Sequence, residues 1–155
     1  MTISDALRDV VVRLVLERPA ARRSISAWAD ALAASGAKLK ARMAASADTP
    51  ANRRQLRHII GLERWGQRRM RVALGEPFIN DEMDGYQPPA DLNLAELIDV
   101  FLNTRDETVQ IARQCAADPR AETALVRHNQ LGPLSIRGWL RYLDMHASLE
   151  ARRLR

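Results

Sequence analysis

Two ionisable side chains near the end of the chain, His146 and Glu150, are four residues apart within a segment that has the apolar periodicity of a helix. An α-helix turns about 100° per residue, so positions i and i+4 point to one side, here the side of Trp139, Leu140 and Leu143. A histidine and a carboxylate that face a core need a partner, because an unpaired buried charge is costly. A divalent metal ion is one such partner.

His58, on the apolar side of an earlier predicted helix, is a third candidate ligand. Two histidines and a glutamate on inward faces suit a divalent ion that keeps an open coordination position. We therefore predict that His58, His146 and Glu150 bind a metal. The alternative is that both histidines are hydrogen-bonded core residues and that Glu150 reaches solvent or pairs with Arg153.

Arg105 is at the centre of the apolar face of another predicted helix. An arginine cannot lose its charge, so a buried one must find an anion. Glu63 and Asp144 are candidates within the chain, and a carboxylate or phosphate of a substrate is another. We expect Glu63, Arg105 and Asp144 to orient the metal ligands or a substrate, with a plain Glu63–Arg105 ion pair as the alternative.

Two further residues receive structural interpretations. His128 is in a segment with the composition of a loop, and we predict that it orders this loop or lies at the rim of a pocket. Cys115 is the single cysteine, so an intramolecular disulfide is excluded and a reducing, cytoplasmic location is expected. Glycine-rich phosphate loops, CxxC, HExxH and the serine elbow are missing.

The composition predicts one domain with a substantial core, since the chain has 155 residues and 46% of them are hydrophobic. No apolar run reaches the roughly 18 residues of a membrane span, and the first residues lack the pattern of a secretory signal.

The net charge of +5 permits contact with nucleic acid but does not demonstrate it. We expect a solvated arginine row on one edge of the third helix instead, because no stacking aromatics are interleaved with its members. These are Arg53, Arg57, Arg64, Arg68 and Arg71.

Five helices are predicted from apolar periodicity and from capping residues, at roughly residues 4–17, 24–45, 49–75, 93–118 and 135–155. Thr49 caps the third helix, and Asn93 with Glu96 forms a capping box at the fourth. Residues 77–91 are predicted to form a loop, and strand-like alternation is absent. The chain is therefore expected to be an all-α domain, residues 1–155, built as an antiparallel four-helix bundle with residues 1–23 as an N-terminal helical addition.

The order of these features resembles the DinB-like, or YfiT-like, superfamily of four-helix bundles. The resemblance covers roughly residues 24–155 and is carried by residues 57–65, 101–109, 128–135 and 143–150. The family pattern has one metal-ligand histidine on the second bundle helix and an HxxxH pair on the last. His58 and His146 match it, whereas Glu150 stands where the second histidine of the pair usually falls.

The resemblance implies a bound divalent metal, such as zinc, nickel or manganese. It also implies thiol-dependent transfer or isomerisation with a low-molecular-weight thiol such as mycothiol or bacillithiol, or hydrolysis by a metal-activated water. A bound metal would lower the pKa of the thiol and present a thiolate to a small-molecule substrate. Because Glu150 replaces the usual histidine, there is an alternative: a non-catalytic bundle that binds a ligand or partner and retains a degenerate metal site.

A homodimer is also predicted, because bundles of this kind often pair through a helix face. The first predicted helix is apolar nearly all round, so it is either well covered by the bundle or part of a dimer contact. Its apolar residues are Val10, Val11, Val12, Leu14, Val15 and Leu16.

Overall fold

The computed structural model describes residues 3–155, with side chains from residue 6 onward; Met1 and Thr2, the first residues of the predicted domain, lie outside it. The chain is mostly helical. Its N-terminal segment is α1 (Ile3–Val12), a π-helical turn (Arg13–Glu17) and α2 (Arg18–Ala20). The elements that follow are α3 (Ile25–Ala44), α4 (Pro50–Val72), a 3-10 turn (Met83–Tyr86), α5 (Leu94–Ala117), α6 (Pro119–Thr123), β1 (Leu125–His128), β2 (Gly132–Ser135) and α7 (Ile136–Ala151).

The predicted starts of the long helices are confirmed by their caps. The Thr49 side chain accepts the backbone N–H of Asn52 at the start of α4, where Pro50 needs no hydrogen-bond partner for its nitrogen. The capping box of α5 is complete: Asn93 Oδ1 accepts the Glu96 N–H at 2.9 Å, and Glu96 Oε2 accepts the Asn93 N–H at 2.8 Å.

The four long helices share one interior. α3 packs against α5 and α7, and α4 packs against the same two helices. Most of the side chains between them are apolar and fully buried, which is the main stabilising contribution to such a fold. They include Leu32, Met43, Leu56, Ile59, Ile60, Met70, Leu97, Phe101, Ile111 and Trp139.

The prediction that strands are absent was wrong. β1 and β2 form an antiparallel hairpin in which Leu125 pairs with Ser135 and His128 pairs with Gly132. Each strand has only four residues, too few for alternation to be distinguished from an irregular loop. Gly132 has a φ of 81°, a left-handed conformation that glycine adopts without steric cost.

The predicted end of the first helix was also wrong, because helical structure continues through Pro19 to Ala20. The N–H of Arg18 donates to the carbonyl of Arg13, five residues back, so the helical ladder is widened just before the proline. The π turn replaces the regular i→i−4 hydrogen bonds of the helix, which are the bonds that an internal proline would otherwise break.

The predicted loop, residues 77–91, folds back on α4 and contains the 3-10 turn. The close approach of this loop to α4 depends on Gly61, because a Cβ atom added there would be 2.7 Å from Gln87 Cγ. Arg57 Nε donates to the carbonyl of Pro88 at 2.9 Å and so anchors the end of the loop. From residue 3 to residue 155, no helix is both long and apolar enough to cross a membrane.

The N-terminal helical segment is covered on one side only. Val12 and Leu16 are buried against the rest of the protein, whereas Leu7 is 64% exposed. Its other exposed large apolar residues are Val10, Val11, Leu14 and Val15.

Candidate functional site

A cavity of about 270 Å³ opens between α4, α7, the 3-10 turn and the β1–β2 turn. Its wall combines four aromatic or aliphatic side chains with three histidines and three other polar side chains. This combination of an apolar wall and a few convergent polar groups is typical of small-molecule sites. The lining residues are His58, Leu62, Trp65, Glu82, Met83, His128, Asn129, Gln130, Tyr142 and His146.

His58 of α4 and His146 of α7 converge in this cavity, as predicted for two ligands of one ion. Their Nε2 atoms are 3.1 Å apart and their ring centroids 5.0 Å apart. Two imidazole nitrogens bound tetrahedrally to one zinc ion at about 2.0–2.1 Å are themselves separated by about 3.3–3.4 Å, within a few tenths of an ångström of the observed value. The observed spacing therefore suits a shared ion, and it is also the distance of a hydrogen bond between the rings.

His146 is in the protonation state that a metal ligand requires. Burial lowers its pKa to about 4, and the neighbouring His58 acts in the same direction, while Glu150 opposes the shift. The imidazole is therefore neutral at pH 7, the form in which histidine coordinates metals.

Glu150 has other partners. Its Oε2 atom accepts hydrogen bonds from Gln55 Nε2 on α4 and from Arg153 Nη1, the latter at 2.9 Å. Among the side chains that the structure describes, from residue 6 to residue 155, no three His, Cys, Asp or Glu groups are close enough together to hold a metal ion. The structure thus brings together two of the three predicted ligands, and the third makes the Arg153 contact that the alternative interpretation named.

Glu63 and Arg105 meet in the interior between the long helices, with the partly exposed Asp144 beside them, and none of the three is among the residues that line the cavity. Arg105 Nη2 donates to Glu63 Oε2 at 2.9 Å, and Nε is 2.8 Å from Oε1. Arg105 Nη1 donates to Ser35 Oγ at 3.1 Å and is 3.5 Å from Asp144 Oδ1. Thr108 Oγ1 also donates to Glu63, at 2.8 Å. The anion that the sequence required for Arg105 is therefore supplied by the chain.

His128 orders the hairpin turn and lines the cavity, in agreement with its predicted role. Its Nδ1 atom accepts the backbone N–H groups of Gln130 and Leu131, both at 3.2 Å. The ring packs edge-to-face against Trp65 and Tyr142, with centroid distances of 5.0 and 4.9 Å. Burial and the nearby Arg69 lower the His128 pKa to about 4, so this imidazole is also neutral.

Arg69 positions the cavity wall, although sequence reasoning did not single it out. It is 1% exposed, and its guanidinium donates to the carbonyl of Asp81 at 3.0 Å and to Asn129 Oδ1 at 3.2 Å. The same group stacks over the rings of Trp65 and Phe78 at 4.7 and 4.5 Å. The signal in the sequence that could have identified it is its spacing, four residues after Trp65 and seven after Leu62, which places it on the apolar side of the helix.

The arginine row of α4 is engaged within the chain. Arg53 pairs with Asp48, and Arg68 pairs with Glu76. Arg71 Nη2 is 2.6 Å from Glu107 Oε1. These contacts, with the Arg57 bond to the loop, hold the arginine side chains of the row against neighbouring residues at the protein surface.

Cys115 is 1% exposed, and burial raises the pKa of its thiol to about 11. It is therefore a protonated core residue and a poor nucleophile at pH 7.

Comparison of the chain with protein-family models, with curated proteins and with solved structures found no match. The DinB-like resemblance thus remains a prediction from the sequence. The geometry of the cavity is the basis for the function that follows.

Proposed function

We propose that this protein binds one divalent metal ion between His58 and His146, with Glu150 as a third ligand. The observation that supports the proposal is the convergence of two imidazole Nε2 atoms, 3.1 Å apart, in the wall of a cavity large enough for a small molecule. The histidines come from two different helices, so their meeting depends on the tertiary fold.

Glu150 suits the third position because it is one helical turn beyond His146 on α7. On metal binding, the Glu150 carboxylate would give up its hydrogen bonds with Gln55 and Arg153 and coordinate the ion instead. A donor set of two imidazoles and one carboxylate accepts zinc, nickel or manganese.

The reaction class proposed is thiol-dependent transfer or isomerisation, or hydrolysis. A bound divalent ion supplies Lewis acidity, which lowers the pKa of a thiol or of water. The chain would hold the small-molecule substrate between Trp65 and Tyr142 and keep bulk water away from it. Burial raises the Tyr142 pKa to about 12, so its hydroxyl stays protonated in the cavity.

Three wider features belong to the same proposal. The arrangement of α3, α4, α5 and α7 would be an antiparallel four-helix bundle of the DinB-like type. Two copies would pair through the exposed apolar residues of the N-terminal segment. The buried thiol of Cys115 is compatible with a reducing compartment such as the cytoplasm.

A non-catalytic bundle with a degenerate metal site is the second candidate. It is favoured by the contacts of Glu150 with Gln55 and Arg153, which occupy the carboxylate without any metal. Under this alternative, His58→Leu and Glu150→Leu would be neutral or stabilising, because an unneeded polar interior is often improved by apolar replacement. A clear loss of folding stability in both variants would count against it.

Metal binding can be tested directly, because the chain has only three histidines. Protein purified without a histidine tag is titrated with Zn²⁺, Ni²⁺ and Mn²⁺ by calorimetry, and its metal content is measured. We expect about one ion per chain for the wild type and loss of binding for His146→Ala and for His58→Ala.

His128→Asn is the matched control, since His128 lines the same cavity but is not a predicted ligand; this variant should bind the ion as the wild type does. Two results would contradict the proposal: absence of binding at saturating concentrations of all three metals, or unchanged binding by His146→Ala.

A further inference from the structure

The cavity wall contains a hydrogen-bond donor that the protein itself does not use. His128 Nδ1 accepts two backbone N–H groups, so that nitrogen carries no proton. The imidazole is neutral, as shown above, and its one ring proton must therefore be on Nε2. The hairpin turn thus fixes the tautomer of His128.

The Nε2–H group is buried and lacks a hydrogen-bond partner in the described part of the chain. The residue is 5% exposed, and its ring is enclosed by Trp65, Trp139 and Tyr142. A buried donor without a partner is unfavourable, and such groups in native proteins commonly mark functional positions.

We propose that His128 orients a bound molecule by donating its Nε2–H to an uncharged carbonyl oxygen, and that the ligand is a small carbonyl compound with an apolar or aromatic body. Leu62, Trp65 and Met83 supply apolar contacts for that body. An uncharged acceptor suits the cavity because Glu82 lies at its wall and the positive charge of Arg69 is already paired with Asp81. The inference rests on the proposed function only for the location of the ligand.

Two substitutions separate the roles of the two ring nitrogens. His128→Asn places an amide oxygen near the position of Nδ1, so the turn keeps its acceptor while the donor is lost. His128→Gln places an amide N–H near the position of Nε2, so the donor is kept while the turn loses its acceptor. Circular dichroism and thermal unfolding of both variants show whether the fold is retained.

The probes are acetophenone and α-methylstyrene, two molecules of similar size and shape in which a carbonyl oxygen of the first is replaced by a CH₂ group in the second. They are titrated into metal-stripped protein by ligand-observed NMR. We expect wild-type protein to bind acetophenone about tenfold more tightly than α-methylstyrene, the effect of one buried hydrogen bond. His128→Asn should abolish this preference and leave the affinity for α-methylstyrene unchanged, whereas His128→Gln should retain part of it.

A second measurement needs no variant. In ¹⁵N-labelled wild-type protein, the His128 Nε2 signal should have the shift of a protonated nitrogen, and acetophenone should move it while α-methylstyrene does not. The proposal is overturned if Nε2 is unprotonated, if acetophenone does not bind, or if His128→Asn weakens both probes equally.

The outcomes are independent of those for the proposed function. Failure of the carbonyl proposal would leave the metal titration of the wild type and of His128→Asn unchanged. Failure of metal binding would leave the preference for acetophenone unchanged, since the probes are titrated without metal.

Discussion

Arg105 and Glu63 are each nearly inaccessible to solvent, with 2% of either side chain exposed. Each charge is separated from water and depends on the other, with Ser35, Thr108 and Asp144 completing the hydrogen-bonding shell. Such a pair adds little net stability relative to apolar residues, but the removal of one partner is strongly destabilising.

We expect Glu63→Gln to lower the free energy of unfolding by about 3–5 kcal/mol, because the Arg105 charge remains buried with only Asp144 nearby. Urea denaturation at pH 7 measures the change. Asp30→Asn is the control: its pair with Arg113 is exposed, and its loss should alter stability by no more than about 0.5 kcal/mol. Equal effects of the two substitutions would show that the buried network is not energetically important.

The ion pair was predictable from the sequence, whereas the contacts of Glu150 were not. An arginine in the middle of an apolar helix face requires an anion whatever the tertiary fold, so Glu63 and Asp144 could be named as candidates. Glu150 faces the correct side of its helix, but the direction of its flexible side chain depends on Gln55 of another helix. The periodicity of one helix carries no information about such a contact.

At the scale of the elements, the helix that carries His146 is joined to the N-terminal segment by Glu17. Glu17 Oε1 accepts the backbone N–H of Ser135 at 3.0 Å, and Oε2 accepts the Ser135 hydroxyl at 2.6 Å. A carboxylate at a helix N-terminus is favourable because it faces unpaired N–H groups and the positive end of the helix dipole. The π-helical turn thus places the Glu17 carboxylate at the start of α7.

Gly138 makes this contact possible, since an added Cβ would overlap Glu17 Oε1. We expect Gly138→Ala to destabilise the protein by about 1–2 kcal/mol although alanine is the better helix former, because the carboxylate must leave the helix terminus. In a Glu17→Ala background, the same substitution should be neutral or stabilising. Thermal unfolding of the four proteins in this double-mutant cycle tests the coupling, and equal effects of Gly138→Ala in both backgrounds would exclude it.

Helix starts were predictable from local sequence, but the π turn and the hairpin were not. Thr49 and Asn93 act within one turn of their own helices, so their side chains alone identify the boundary. The π turn places Glu17 beside Ser135, 118 residues away in sequence, and that contact cannot be read from the local sequence. The hairpin is likewise held by tertiary contacts, in which Val126 and Leu134 are buried and Trp139 Nε1 donates to the Val126 carbonyl at 3.0 Å.

At the scale of the whole molecule, exposed large apolar side chains are concentrated in the described part of the N-terminal segment. Five of them fall within residues 7–15: Leu7, Val10, Val11, Leu14 and Val15. Such concentrations are uncommon on the surface of monomeric proteins and are characteristic of association sites. This segment also carries Glu17, so an association through it would stabilise the start of α7 as well.

We expect the wild-type protein to be a homodimer, and the double substitution Leu7→Lys with Leu14→Lys to convert it to a monomer, because two charges would be buried at the interface. Size-exclusion chromatography with light scattering over a range of protein concentrations measures the mass. Leu125→Lys is the matched control: Leu125 is 67% exposed but lies on β1, outside the cluster. It should leave the mass unchanged.

Because Leu7 and Leu14 are exposed in the protomer, the double variant should keep the thermal stability of an isolated chain and, if metal binding needs only one copy, still bind its ion. A wild-type mass of 17.4 kDa at every concentration would contradict the dimer, as would a double variant with the wild-type mass.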